Sequence, residues 1–383
     1  MKILIHIPQL IFGGAEKVLV SFANDLVARG HQVTVLETYE KRLLADQFDP
    51  RVCLDAICSQ AYTSKYYVTP AQVRKNPLKI FKWGFCKLRG YRKYAEKLAA
   101  IRYVNQEFDV AINYLEIDSP AFVLNHVKTK KHLQWIHTDI GNLSNPAEYD
   151  SYLPLWEKMD SIVCVSKDAL QNFCHRYPSV KDKTHLIYNF FDVDAVLQKG
   201  HIPHTFEGAH PVLLSVGRMT EPKQYPRFLD VLAQLRDEGF DFSWHVLGDG
   251  AQRQAIEEKI QQLNLSDRVF LHGLTDNPYK FMKNCDLFVL PSGWEGFPTV
   301  TVEAKILGCA VLATDVAGIR EQLTHGKTGW IVENERQAIC DGLRYLLQNP
   351  EIRLSLKDSS GMDAICRNEE KYNQFFALCS NNT

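Results

Sequence analysis

KILIHIPQLIFGGAEKVLVSFANDLVARGHQVTVLE, residues 2–37, decides the fold. An apolar run over 2–8 precedes a stretch with helical spacing, which ends at Gly30, and a second apolar run follows over 31–37. Apolar residues recurring at three- and four-residue intervals predict an amphipathic helix, and the short runs on either side predict buried strands. Gly30 stands where a helix ends in a left-handed residue. Strand, helix and strand in that order form a βαβ unit, whose crossover makes the two strands parallel.

The same alternation continues outward. Further strands are predicted at 109–115, 131–137, 161–166 and 184–189. A break rich in Gly, Pro and His follows at 199–211, and the pattern then restarts with strands at 211–217, 242–248, 269–273, 287–291 and 310–316. The expected architecture is α/β: two Rossmann-like, doubly wound parallel domains, 1–200 and 207–366, facing across a cleft that is the default ligand site. The tail 367–383 has helical spacing in Tyr372, Phe375, Phe376 and Leu378, and is expected to pack back on the first domain.

A chain of 383 residues with 45% apolar and 23% charged content is that of a folded two-domain protein, and excludes a disulfide scaffold or a disordered chain. The net charge of −1 argues against general nucleic-acid binding. Residues 1–200 nevertheless carry 26 Lys and Arg against 21 Asp and Glu, while 201–383 carry 18 against 24. Much of the positive charge lies in 71–103, where ten basic residues meet one acid, Glu96, and are interleaved with Phe81, Trp83, Phe85, Tyr91 and Tyr94. That composition suits an anionic membrane surface and equally a solvated helical insertion. Ten cysteines show no C-x-x-C pair and no zinc spacing, as expected of reduced thiols in the cytoplasm. Pro8 and Gln9 interrupt the first apolar run, which reads as a strand and not a signal peptide, and no run is long enough to span a bilayer.

PSGWEGFPTVTVEAKILGCAV, residues 291–311, carries the chemistry. A loop with Glu295, Gly296, Phe297 and Pro298 follows a strand, and a helix is predicted from Thr299 to a stop at Gly308. A helix start at the carboxyl edge of a parallel sheet offers free N–H groups to an anion. Glu295 and Glu303 lie eight residues apart, a rise of about 12 Å on a helix, too far for a paired-carboxylate hydrolase and suited to two ends of one extended polar ligand. Arg218 and Lys223 follow the first strand of the second half. His137 ends a strand. Gly13-Gly14 turns from the first strand into the first helix, but the spacing fails G-x-G-x-x-G.

The pair Glu295 and Glu303 resembles the E-x7-E motif of retaining, nucleotide-sugar-dependent glycosyltransferases of the GT-B fold, family 4. Gly13-Gly14, Gly217-Arg218 with Lys223, and Gly248-Asp249-Gly250 occur in that family's order, so the resemblance runs through nearly the whole chain. It implies that Glu295 orients the donor hexose, Glu303 the ribose, Arg218 and Lys223 the diphosphate, and His137 the reacting face of the sugar. It also places Gly13, Gly14, Gly217, Gly248, Leu274, Gly296, Phe297, Pro298 and Thr299 around the donor. The implied reaction moves a hexose, from a UDP-sugar by family prevalence, to a saccharide or lipid-linked acceptor at the inner face of a bacterial membrane, in surface polysaccharide or glycolipid synthesis. No D-x-D-like motif stands beside a strand, so no metal and no cofactor are expected. A nucleotide-sugar 2-epimerase and a non-catalytic nucleotide-sugar-binding partner subunit share the architecture and remain alternatives.

Overall fold

The computed structural model describes residues 1–61, 91–140 and 147–380. The chain divides into two units, each built on a sheet whose strands pair in parallel. In the first, β1 (Lys2–Ile7), β2 (Gln32–Tyr39), β3 (Cys53–Cys58), β4 (Glu107–Asn113), β5 (Lys128–Ile136), β6 (Ser161–Cys164) and β7 (Thr184–Leu186) lie in the order β3-β2-β1-β4-β5-β6-β7. In the second, β8 (Val212–Val216), β9 (Ser243–Leu247), β10 (Val269–Gly273), β11 (Leu287–Leu290), β12 (Val311–Thr314) and β13 (Trp330–Val332) lie in the order β10-β9-β8-β11-β12-β13. Both are doubly wound, with the reversal of strand order between β1 and β4 and between β8 and β11. Helices on both faces explain the near-continuous apolar strands: Ile3, Leu4, Ile5 and Ile7 have no exposed surface, nor have Leu213, Leu214, Leu287 and Phe288.

The helix ends are set by one device. After the helix Gly14–Ala28, the N–H of His31 donates to Leu26 O (3.0 Å) and that of Gly30 to Val27 O (3.0 Å), with Gly30 at φ 85°. This is the Schellman pattern, which returns the chain sharply toward the next strand. Gly308 (φ 71°) ends the helix Thr299–Ile306 likewise, with Cys309 donating to Ala304 O (2.9 Å).

Several boundaries differ from those expected. Strands β3 and β13 are additional; β3 is an edge strand with Asp55 at its centre, bonded to Arg102 and Tyr103 of the helix Tyr91–Tyr103, and β13 has three residues. The units meet in sequence at Ile187/Tyr188 and not near 200–207. The reason is packing: the helix Val193–Gly200 buries Val196 in the second unit's core and sets Gly200 against Leu307. Residues 166–169 also belong to the second unit. The helix Asn368–Cys379 ends the described chain; Lys371 is still held in the second unit by Asn189 O (2.6 Å), whereas Tyr372 and Phe375 are fully buried in the first beside Phe22. The basic segment 71–90 lies outside the described residues, and 91–103 is helical.

Candidate active site

In the second unit the loops after β8, β9 and β11 build the site. The first two are zipped together: Gly217 donates to Leu247 O (2.9 Å), Met219 to Asp249 O (2.9 Å) and Gln252 to Met219 O (2.9 Å). Gly248 sits at φ 139°, and a Cβ there would lie 2.0 Å from Gly217 O. Only glycine tolerates both constraints. The requirement comes from backbone meeting backbone, which is why Gly217 and Gly248 stand 31 residues apart yet act as one feature. Leu274, just after β10, is 55% exposed.

Across the reversal of strand order, the loop after β8 meets the loop after β11. Lys223 Nζ is 2.6 Å from Glu295 Oε1, and Ser292 Oγ donates to the same oxygen (2.7 Å). Gly293 donates to Pro222 O (2.7 Å), and Arg227 reaches Pro291 O (2.8 Å) and Asn334 Oδ1 (2.8 Å). The Lys223 stem lies over Gly217, where a Cβ would come 3.0 Å from Lys223 Cε. Two residues read separately in the sequence, one for diphosphate and one for hexose, are thus a single ion pair. Both are mostly buried, so the pair is better shielded from water than a surface bridge. Arg218 is exposed, and no carboxylate among the described residues pairs with it.

Glu303, on the helix Thr299–Ile306, is 6% exposed and accepts from the Tyr279 hydroxyl (3.0 Å). Burial first, and then this carboxylate, push the Tyr279 phenol well above its ordinary range, so it stays a donor. Pro298 precedes the helix, and Phe297 is 5% exposed with its ring 5.4 Å from Tyr188.

In the first unit, His137 follows β5. Its backbone N–H donates to Glu116 Oε2 (2.9 Å), its ring lies 4.7 Å from that of Tyr114, and its Nε2 is buried with no partner among the described residues. Burial depresses its pKa to about 3, so the ring is neutral at pH 7. Glu116, 1% exposed and raised by burial, is a carboxylate that motif reading passed over; its one signal is an acid directly after a buried strand. Gly13 is extended, and a Cβ on it would strike Glu16 Oε2 at 2.1 Å, so the Gly13-Gly14 turn is closed by the chain's own carboxylate. Glu37 takes the N–H groups of Leu10 (2.8 Å) and Lys41 (3.0 Å), pinning the loop after β1.

Residues 12–195 match the model "Glycosyltransferase Family 4", and residues 200–360 match "Glycosyl transferases group 1". A Campylobacter jejuni relative, N-acetylgalactosamine-N,N'-diacetylbacillosaminyl-diphospho-undecaprenol 4-alpha-N-acetylgalactosaminyltransferase, is 29% identical over 208 residues. That alignment takes in 54% of this chain and 56% of the relative, so the chain spans about half of its length. Among solved structures, Anabaena HepE in complex with UDP and glucose is similar with a TM-score of 0.73 at 17% identity, each chain covered completely. A point mutant of Staphylococcus aureus TarM, in a complex with fondaparinux, alpha-GlcNAc-glycerol and UDP, is similar with a TM-score of 0.78 at 12% identity over 99% of this chain and 100% of that one. With the two matched models adjoining along the chain and two doubly wound units beneath them, this protein belongs to the GT-B glycosyltransferases of the family 4 type.

Proposed function

We propose that the protein transfers a hexose from a nucleotide diphosphate sugar, UDP-linked, to a hydroxyl of a saccharide or lipid-linked saccharide, with retention at the anomeric carbon. The observation that carries this reading is the meeting of Lys223 and Glu295 at the β8–β11 reversal, beside the Gly217–Gly248 contact and Arg218, which pairs with no carboxylate among the described residues. Charged side chains and close backbone at that point of a doubly wound sheet suit a diphosphate ligand. The solved HepE complexes hold UDP and UDP-glucose, which supports a donor of that class. The Campylobacter relative's name specifies an undecaprenol-linked acceptor, which supports a lipid-linked saccharide here.

In this reading Arg218 and Lys223 offset the charge of the departing diphosphate, Glu295 orients the hexose, Glu303 takes the ribose, and His137 faces the reacting side of the sugar. The retained configuration follows from return of the acceptor to the face that the diphosphate leaves, with a leaving phosphate oxygen taking the acceptor proton. Oxygen, proton and leaving group balance without a covalent glycosyl-enzyme adduct. The protein works peripherally at the inner membrane face. No helix among the described residues is long and apolar enough to cross a membrane.

The test is a panel of UDP-, GDP- and ADP-sugars with product linkage read by NMR, run with and without excess EDTA. An α-linked product from an α-linked donor, undiminished by EDTA, is expected. Epimerised free donor in the absence of acceptor would establish the epimerase in its place, and a β-linked product would overturn retention.

A further inference from the structure

The loop Glu295–Pro298 is held from outside by residues that no motif marks. Ser166, fully buried, donates its hydroxyl to Gly296 O (2.9 Å) and accepts the N–H of Ala169 (3.1 Å). A hydroxyl has one proton, and the Ala169 contact uses a lone pair, so the proton goes to Gly296. The segment carrying Ser166 is itself fastened. Glu321 Oε1 accepts the N–H of Lys167 (2.8 Å), Glu321 Oε2 the hydroxyl of Tyr188 (2.5 Å), and Asp168 Oδ2 the N–H of Gly318 (3.0 Å). A Cβ on Gly318 would lie 3.1 Å from Gly296 O, so that carbonyl is enclosed on this side too. All of these residues belong to the second unit.

In a trans peptide the carbonyl and the following N–H point in opposite directions. Turning Gly296 O toward Ser166 therefore turns the Phe297 N–H away from it, and no acceptor among the described residues takes that N–H. Glu295 is the neighbouring acceptor on the same loop. We propose that Ser166 is a positioning residue for the sugar half of the donor site: by locking the Gly296–Phe297 peptide it presents the Phe297 N–H, alongside the Glu295 carboxylate, to a hydroxyl of the donor hexose. This rests on the nucleotide-sugar reading above. Without Ser166, the buried carbonyl has no partner, and the peptide is free to turn its N–H out of line.

The experiment compares the wild-type chain with Ser166→Ala and Ser166→Thr. Each is measured for UDP affinity by calorimetry, for melting temperature, and for turnover of UDP-glucose, UDP-N-acetylglucosamine and UDP-N-acetylgalactosamine. With the sugar nucleotide the wild type uses, Ser166→Ala is expected to lose about tenfold in kcat/KM, as for weakening of one neutral hydrogen bond, while UDP binds equally and Ser166→Thr recovers most of the loss. Equal loss of UDP affinity and turnover in Ser166→Ala, or turnover unchanged from wild type, would overturn the role of Ser166 alone. A wild type that neither binds UDP nor turns over any of the three sugars would overturn the UDP-sugar reading, and this role with it.

Discussion

The two sheets reverse their strand order in the same way, yet the two reversal points are filled with opposite kinds of chemistry. Between β1 and β4, His6 faces its register partner Asn113 (2.7 Å) and reaches Thr38 (2.8 Å), Thr38 donates to Asp118 (2.5 Å), and Asn113 donates to Gln134 (2.9 Å). All five are buried and bonded to one another. Between β8 and β11 the side chains are the ion-paired Lys223 and Glu295, 17% and 14% exposed, with Arg218 exposed on the loop after β8. Topology leaves a crevice at each point; what occupies it decides whether the crevice stabilises the sheet or receives a ligand. The first point serves the fold, and the second, in the function proposed above, receives the donor.

The sharpest way to break this contrast is Glu295→Ala. Activity should fall on the order of 10²- to 10³-fold in kcat/KM while the melting temperature stays within a few degrees, if the carboxylate holds the donor as proposed. Retention of more than a tenth of wild-type turnover would remove Glu295 from the site. The reciprocal test is Asn113→Ala. Urea unfolding should show a loss of about 2–3 kcal/mol from the orphaned network, with UDP affinity unchanged. A variant as stable as the wild type would mean that the first reversal point is as loosely built as the second.

Much of this was legible in residues 2–37 and 291–311, because local periodicity and helix-stop glycines act over a few residues. Gly30 and Gly308 end their helices where the sequence reading put them. The missing pieces depend on distance along the chain or on shortness. Strand β13 has three residues, too few for any period, and β3 carries Asp55 because its partners Arg102 and Tyr103 lie some fifty positions away. The Lys223–Glu295 pair and the Ser166–Gly296 bond join residues 72 and 130 positions apart. Nothing in the spacing announces either one. The expected boundary near 200 followed a Gly-, Pro- and His-rich composition, whereas the change of unit at 187/188 follows where Val196 is buried.

A smaller effect sharpens the comparison from the ligand side. Arg218→Ala should cost about tenfold in kcat/KM, equal to about 1.4 kcal/mol of transition-state binding, and leave stability within about 0.5 kcal/mol. Near-wild-type turnover would leave Arg218 a solvated cation. The smallest effect is on pH dependence and separates stability from site chemistry. Burial lowers His245 to about 4 and His137 to about 3, against 6.5 when unfolded. Below pH 6.5 the unfolded chain takes up protons that the folded chain refuses, so this stability is complete above 6.5 and drains away as pH falls toward 4. His245 lies against His272 (2.9 Å) and Glu207 O (3.0 Å), with His204 and His210 adding repulsion when charged. The urea midpoint should decline from pH 7 to 4.5, and His245→Gln should flatten part of that slope; an unchanged slope would remove His245 as a source.

The final helix has a consequence for how the protein is made. Tyr372 and Phe375 complete the core around Phe22 and Trp135, residues translated hundreds of positions earlier. The strands of the first unit leave the ribosome first, but Tyr372 and Phe375 reach that core only after residues 188–371 have been made. The second unit, complete in its own strands and helices by residue 371, can close beforehand. Until residues 368–379 are made, the faces of Phe22 and Trp135 that Tyr372 and Phe375 cover lack that cover.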